Sequence, residues 1–294
     1  MCACEDARTT AGLEAGATVS ASLRYAQGYD SMFDLAVMNA ELAGTIFAGK
    51  LNYAHSTSST NIDALAAARN GAPHGSVYFA DEQTAGRGRG GNSWHSATGE
   101  GLYVSVLLRP QIPGSRFALL PFAAGLAAVE AIRAVSGLAV DLRWPNDLLI
   151  GSRKAGGILV EAGNDSEGLP HAVLGIGVNV HQREFPSALA TPATSLDLES
   201  GRRISRQSLL VALLESLERE VGTLCDGVAP RAILERVERA STWVRGRRVQ
   251  VHGPQACEGV TVGLDENGFL RVETSAGVVT VQTGGLREKA ASSR

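Results

Sequence analysis

The run Gln83-Thr84-Ala85-Gly86-Arg87-Gly88-Arg89-Gly90-Gly91-Asn92-Ser93-Trp94 combines two things that an anion needs. Glycines at 86, 88, 90 and 91 let backbone amides come close, and Arg87 and Arg89 supply guanidinium forks for phosphate or carboxylate oxygens. The Gly-Lys-Ser/Thr ending of a Walker loop is absent, and the glycine spacing does not make a dinucleotide fingerprint. A flexible surface loop or an RNA-binding Gly-Arg tract would look similar in isolation. The motif does not repeat and lies between two strand candidates, which argues against the tract.

A second run, Arg143-Trp144-Pro145-Asn146-Asp147, sets an amide and a carboxylate at a strand end, where Asp147 could hold a hydrated Mg²⁺ against phosphates or simply form an Asn-Asp turn. Lys154 follows past a hairpin turn, just before Gly156-Gly157 lead into an apolar strand, and a solvated turn lysine is the competing account of it. In the third run, Leu174-Gly175-Ile176-Gly177-Val178-Asn179-Val180, glycines alternate with aliphatics. Such a pattern weakens a strand and is used where a ligand or another backbone must approach, although tight core packing would also require it. Asn179 offers both a donor and an acceptor, which suits the edge of a base.

Elements able to position these residues are visible around them. Strands are expected at Val77 to Ala80, Leu102 to Leu108, Val140 to Arg143, Gly157 to Glu161 and Val173 to Val180. In the second, Leu102, Val104, Val106 and Leu108 make one aliphatic face and Tyr103, Ser105, Leu107 and Arg109 a mixed one. Helices are expected from Phe33 to Leu42, from Ile62 to Arg69 behind a Ser59-Thr60-Asn61 cap, from Phe117 to Val135, and from Arg206 to Leu224. In the last of these, Leu209, Leu210, Leu213, Leu214, Leu217, Val221 and Leu224 form a core stripe. A sheet with helices on one face fits this order. After Trp243, short runs at Arg247 to Val251, Gly259 to Leu264, Leu270 to Glu273 and Val278 to Gln282 alternate with Gly-Pro, Asn-Gly and Ala-Gly turn signals, which is the pattern of a small all-β unit.

The chain of 294 residues is 44% hydrophobic and 19% charged, enough to bury a sizeable core, and its net charge of -3 gives no general basic field for nucleic acid. Cys2, Cys4, Cys225 and Cys257 are too few and scattered for a disulfide framework or a zinc site, so a reducing cytoplasm is expected. No secretory signal is visible, and no 18-residue apolar stretch is expected to span a bilayer. Residues 1 to 31, rich in Ala, Gly, Ser and Thr, read as a loosely ordered, disordered tail.

Taken in order, Ser59-Thr60-Asn61, the Gly86 to Arg89 loop with Trp94, Trp144-Pro145-Asn146-Asp147, Lys154-Ala155-Gly156-Gly157-Ile158-Leu159-Val160-Glu161 and Gly175-Ile176-Gly177-Val178-Asn179 resemble the biotin protein ligase family, with the match running from about residue 45 to 290. The resemblance implies an α+β fold. Its first part would be a class II synthetase-like catalytic domain over residues 32–242, with a mixed β-sheet backed by helices, and its second an SH3-like β-barrel over 243–294. It further implies ATP and Mg²⁺ as cofactors, biotin as substrate and a biotin carboxyl carrier domain as partner, with no membrane involved and a homodimer left open.

Residue by residue, the resemblance puts Ser59, Thr60 and Gln83 at the ureido head of biotin, with the backbone near Arg87 helping, Asn61 and Gly88 also among the biotin-binding residues, and Gly157 and Gly175 lining the floor. Lys154, Arg87 and Arg89 become the catalytic cations, with Lys154 near the biotin carboxylate and the α-phosphate and the two arginines on a loop that closes over the intermediate. Asn146 and Asn179 fall on the nucleotide side, and Asp147 near metal and phosphate. One departure stands out: where relatives place a third basic residue two positions before the Trp, this chain has Asn92.

A lipoate or octanoyl ligase or transferase, which shares the catalytic fold, is the nearest alternative, and the Gly-Arg-Gly-Arg loop with Trp-Pro-Asn-Asp favours biotin over it. A biotin-responsive DNA-binding regulator would need two closely spaced amphipathic helices ahead of Ser59, which are not seen, so no nucleic acid partner is expected. A non-catalytic scaffold would show decay of Arg87, Arg89, Asp147 and Lys154, and all four are present.

Overall fold

Alternation along residues 101–108 sets the architecture. In the computed structural model this strand is buried on both sides, not only on the aliphatic face. It therefore lies inside the sheet, with one layer against each face. The structure describes residues 33–187, 189–226 and 230–288, so the expected tail over 1–31 lies outside the described residues. The elements all belong to one unit, Asp34–Arg294.

In chain order they are α1 (Leu35–Glu41), β1 (Leu51–Thr57), α2 (Thr60–Arg69), β2 (Ser76–Gln83), β3 (Gly101–Leu108), α3 (Leu120–Ser136), β4 (Asp141–Arg143), β5 (Asp147–Ile150), β6 (Arg153–Asn164), β7 (Pro170–Asn179), α4 (Leu196–Ser200), α5 (Arg206–Cys225) and α6 (Pro230–Arg239). Then come β8 (Arg245–His252), β9 (Cys257–Leu264), β10 (Leu270–Thr274), β11 (Gly277–Val281) and β12 (Gly285–Glu288). Seven strands form a sheet in the order β1-β2-β3-β7-β6-β5-β4, parallel between β1 and β2 and antiparallel elsewhere. It is the mixed sheet expected from the sequence. The last five strands make a separate antiparallel sheet, β11-β10-β9-β8-β12.

Strand registers assign the faces. Val104, Ile176 and Ile158 are neighbours across β3, β7 and β6, and α3 lies against that face, with Gly125 close enough that a Cβ would touch Ile158 and Leu142. The α5 stripe packs on α3, its leucines buried. Helices were expected on one face only. The opposite face also carries one, because Ala64 and Ala68 of α2 are small enough to sit down on Leu107 and Val173. Beyond the N-terminal end of α2 no helix of the described residues covers that face, and Ser105, Gly175, Gly177 and Gly157 lie there.

A buried ion pair fastens α5 to the sheet: Arg206 Nη1 meets Asp81 Oδ1 at 2.8 Å, with both side chains at most 5% exposed. The Tyr53 hydroxyl also donates to Asp81, and burial, then that bond, pushes its pKa up to about 12. The run Gly114–Ser136 is long and apolar enough by composition to cross a bilayer. In this fold it begins with a 3₁₀ turn, and its α3 portion is a largely buried core helix between sheet and α5.

Candidate active site

The uncovered part of the sheet is the floor of a cleft lined by both polar and apolar side chains. Of the residues singled out from sequence, Ser59, Thr60, Asn61, Gln83, Arg87, Gly88, Arg89, Asn146, Lys154, Gly157 and Gly175 all line it. Asp147 and Asn179 do not.

At one end the lining is a closed hydrogen-bond network. Gln83 Oε1 accepts from the Thr60 amide at 2.9 Å and its hydroxyl at 3.1 Å, while Gln83 Nε2 donates to Ser96 Oγ at 2.9 Å. The Ser105 hydroxyl bridges Thr60 and Asn61, and Asn61 Nδ2 donates to Glu161 Oε2 at 2.8 Å. Ser59 starts α2 in an extended conformation, yet its side chain makes no capping bond. The expected cap is thus positional only. A set of buried, mutually oriented donors and acceptors of this kind recognises a compact polar group and discriminates against an apolar one.

The other end is cationic. Lys154, near the start of β6, places its Nζ 2.5 Å from Asp147 Oδ1 and 5.4 Å from the centre of the Trp94 ring. Its main chain is held by Pro192 and Thr194, at 2.8 and 2.9 Å. Arg89 is partly buried, which lowers its pKa from the ordinary arginine value, with the Asp147 charge opposing the shift. Arg87 lies nearer the first end, where it pairs at 3.0 Å with the Glu161 oxygen that also accepts from Asn61.

The Gly-Arg segment between these ends is a small hairpin. Gly88 N donates to Asn92 O at 2.7 Å and Trp94 N to Gly86 O at 2.9 Å. Gly90 and Gly91 take φ of 70° and 81° at the tip, a region costly for other residues. Asn92, which replaces the expected basic residue, closes that tip by donating from Nδ2 to Arg89 O at 2.7 Å.

Asp147 and Asn179 have protein partners that bear on their expected roles. Asp147 was expected near a metal, but its Oδ1 faces Lys154 and its Oδ2 takes Arg143 at 2.6 Å. Among the described residues no group of three or more His, Cys, Asp or Glu could hold a metal ion. Asp147 thus stands alone as a carboxylate between Lys154 and Arg143, so any Mg²⁺ it met would be held mainly by phosphates and water. Asn179 was expected beside the base, yet its Nδ2 donates to Thr194 O at 3.0 Å and Lys154 O at 3.4 Å, tying that segment to β6. Asn146 lines the cleft while its Nδ2 holds Ile158 O at 2.8 Å.

Comparison with known proteins decides the family. Residues 53–179 match the Biotin/lipoate A/B protein ligase family. The Bifunctional ligase/repressor BirA of Bacillus subtilis is 34% identical over 232 residues, 78% of this chain and 71% of that protein. This chain belongs to the biotin protein ligase family. The Biotin--[acetyl-CoA-carboxylase] ligase of Mycobacterium tuberculosis is 33% identical, covering 80% of this chain and 87% of that one. Among solved structures, the biotin protein ligase from Aquifex aeolicus in complex with biotin and ATP superposes with a TM-score of 0.72 at 28% identity, over 82% of this chain and all of that one. As in the family, the fold is α+β, with a mixed sheet backed by helices and a C-terminal β-rich part.

Sequence reasoning gave no role to several residues in or beside this ligase-family cleft. Trp94 and Tyr103 line it. Glu161 was quoted within a motif but given no role, although its carboxylate touches both Asn61 and Arg87. Glu161→Gln should therefore raise the biotin KM by about 3–10-fold, the loss of one charge-assisted contact, while Tm changes little because half-exposed ion pairs contribute little to stability. Steady-state kinetics with a melting curve check this. An unchanged KM would show that Glu161 is only a surface partner.

Proposed function

We propose that this protein joins biotin to ATP, forming biotinyl-5′-AMP and pyrophosphate, and then transfers biotin to a lysine of a biotin carboxyl carrier domain. The observation that carries this reading is the polarity of the cleft: a hydrogen-bonded end at Thr60, Gln83 and Asn61, which the Arg87–Glu161 pair adjoins, and a cationic end at Lys154 and Arg89. A ureido ring and a carboxylate joined by a short aliphatic chain match those ends. A dithiolane or octanoyl chain has no polar group to exchange hydrogen bonds with this end and would desolvate it without compensation. The Aquifex aeolicus relative is described with biotin and ATP bound, which supports the pairing of substrates.

In the first step a carboxylate oxygen attacks the α-phosphorus. Both reactants are anions, so the cations fixed in a partly dehydrated cleft lower the barrier by offsetting repulsion as the two are aligned. Lys154 belongs beside the biotin carboxylate and α-phosphate, with Arg89 over the nucleotide side and Arg87 nearer the hydrogen-bonded end. Asn146 borders the nucleotide. Asn179 would touch the adenine through its Oδ1, since its N–H donors are used by main-chain carbonyls. Mg²⁺ is expected to arrive on the nucleotide phosphates. In the second step the neutral amine of the acceptor lysine attacks the mixed anhydride, an amide forms, AMP leaves and the amine's proton goes to solvent.

We further propose that the protein works in the cytoplasm and that residues 243–294 form a distinct SH3-like domain. Purified protein given biotin, ATP, Mg²⁺ and a carrier domain should label one acceptor lysine, read by streptavidin blot and peptide mapping. No label above a control lacking ATP, or titration showing lipoate but not biotin bound, overturns the reading.

A further inference from the structure

Arg89 is anchored by the C-terminal sheet. Its Nη1 donates to the Gly284 carbonyl at 2.7 Å and its Nη2 to the Thr283 hydroxyl at 2.6 Å. The acceptors lie in the turn between β11 and β12, and that turn is itself fixed. Gln282 N donates to Gln255 Oε1 at 2.7 Å. Gly284 packs so closely that a Cβ would stand 2.3 Å from His252 O. Within the hairpin, Asn92 closes the tip onto Arg89 O, but that bond joins the hairpin only to itself, and the tip holds Gly90 and Gly91, whose ordering is entropically expensive. An arginine has five N–H donors, and the turn engages two of its nitrogens, so the fork can still meet an anion in the cleft that Arg89 lines.

We propose that Thr283 is a positioning residue for the ligase reaction: with the Gly284 carbonyl it holds Arg89 over the cleft, so that the hairpin stays closed on the acyl-adenylate until an acceptor lysine arrives. The proposal rests on the function inferred above, and it places a determinant of intermediate retention 194 residues away from the loop it controls. Thr283 is exposed, so its substitution leaves the fold intact.

Thr283→Val replaces the hydroxyl by a methyl group of the same shape, and Thr283→Ser keeps the hydroxyl. Tryptic cleavage after Arg89 in the ligand-free protein, and release of preformed biotinyl-AMP, should both accelerate by about 3–10-fold in Thr283→Val, the expected effect of one lost charge-assisted hydrogen bond. Thr283→Ser should restore both. On an Arg89→Ala background Thr283→Val should add nothing to release. Unchanged cleavage and release in Thr283→Val would overturn the proposal, as would an equal acceleration with and without Arg89. If the wild type fails to hold biotinyl-AMP while Thr283→Val is still cleaved faster, the ligase reading falls and the anchoring of Arg89 by Thr283 stands.

Discussion

Lys154→Ala is expected to slow formation of biotinyl-AMP by about two orders of magnitude or more, the range seen when a preorganised electrostatic stabiliser is removed. The fold should persist. The bonds that hold this residue to Pro192 and Thr194 are main-chain bonds and survive the substitution. Asp147 loses one cation but keeps Arg143 at 2.6 Å, so no buried charge is stranded. Synthetic biotinyl-AMP separates the two steps: supplied with it, the variant should recover much of its acceptor labelling, because the attack of one anion on another has been bypassed. Pyrophosphate release measures the first step directly. Release near the wild-type rate would reduce Lys154 to a solvated residue at a hairpin end.

Asp147 shows why a residue's neighbourhood is harder to read than its type. From sequence, an Asn-Asp pair at a strand end suggested metal and phosphate. What decides its role is β5, a four-residue strand that begins at Asp147 and pairs with β6, setting the carboxylate beside Lys154 and back onto Arg143. That strand was not expected, since its first residue looks like turn chemistry. β1 was missed for a related reason: Leu51–Thr57 mixes polar and apolar residues with no clean alternation, being an edge strand that is only partly covered. By contrast α6 could have been found, as Ile233, Leu234 and Val237 repeat at helical spacing among charges.

The glycines at 157 and 175 were legible because a strand tolerates them only where something must come close. Their partners were not legible. Contacts such as Arg89 with Thr283, or Glu161 with both Asn61 and Arg87, join segments that no local periodicity connects. The same holds for Asn179, whose type suits a base edge but whose amide is claimed by the carbonyls of Thr194 and Lys154.

Gly175→Ala should cost more biotin affinity than any single polar deletion at the head end, about 100-fold or greater, equivalent to nearly 3 kcal/mol. A Cβ at this position would stand 2.2 Å from Asn61 Oδ1 and 2.9 Å from its Cγ. Asn61 cannot swing aside, because it is 4% exposed and its amide is gripped by Ser105 on one side and Glu161 on the other. The strain must then move the first turn of α2, and Ser59 and Thr60 move with it, out of register with Gln83. Overpacking of this kind also destabilises by about 1–3 kcal/mol, so Tm should fall by several degrees. Gly222→Ala provides the control: it lies in α5 with nothing within 4 Å of the added carbon, and should leave binding unchanged and raise Tm slightly. Adding Asn61→Ala to Gly175→Ala removes the clashing atom, so Tm should partly recover while biotin binding stays weak, a non-additive result that only direct contact produces. Titration showing wild-type biotin affinity in Gly175→Ala would mean that the biotin head does not sit over this floor.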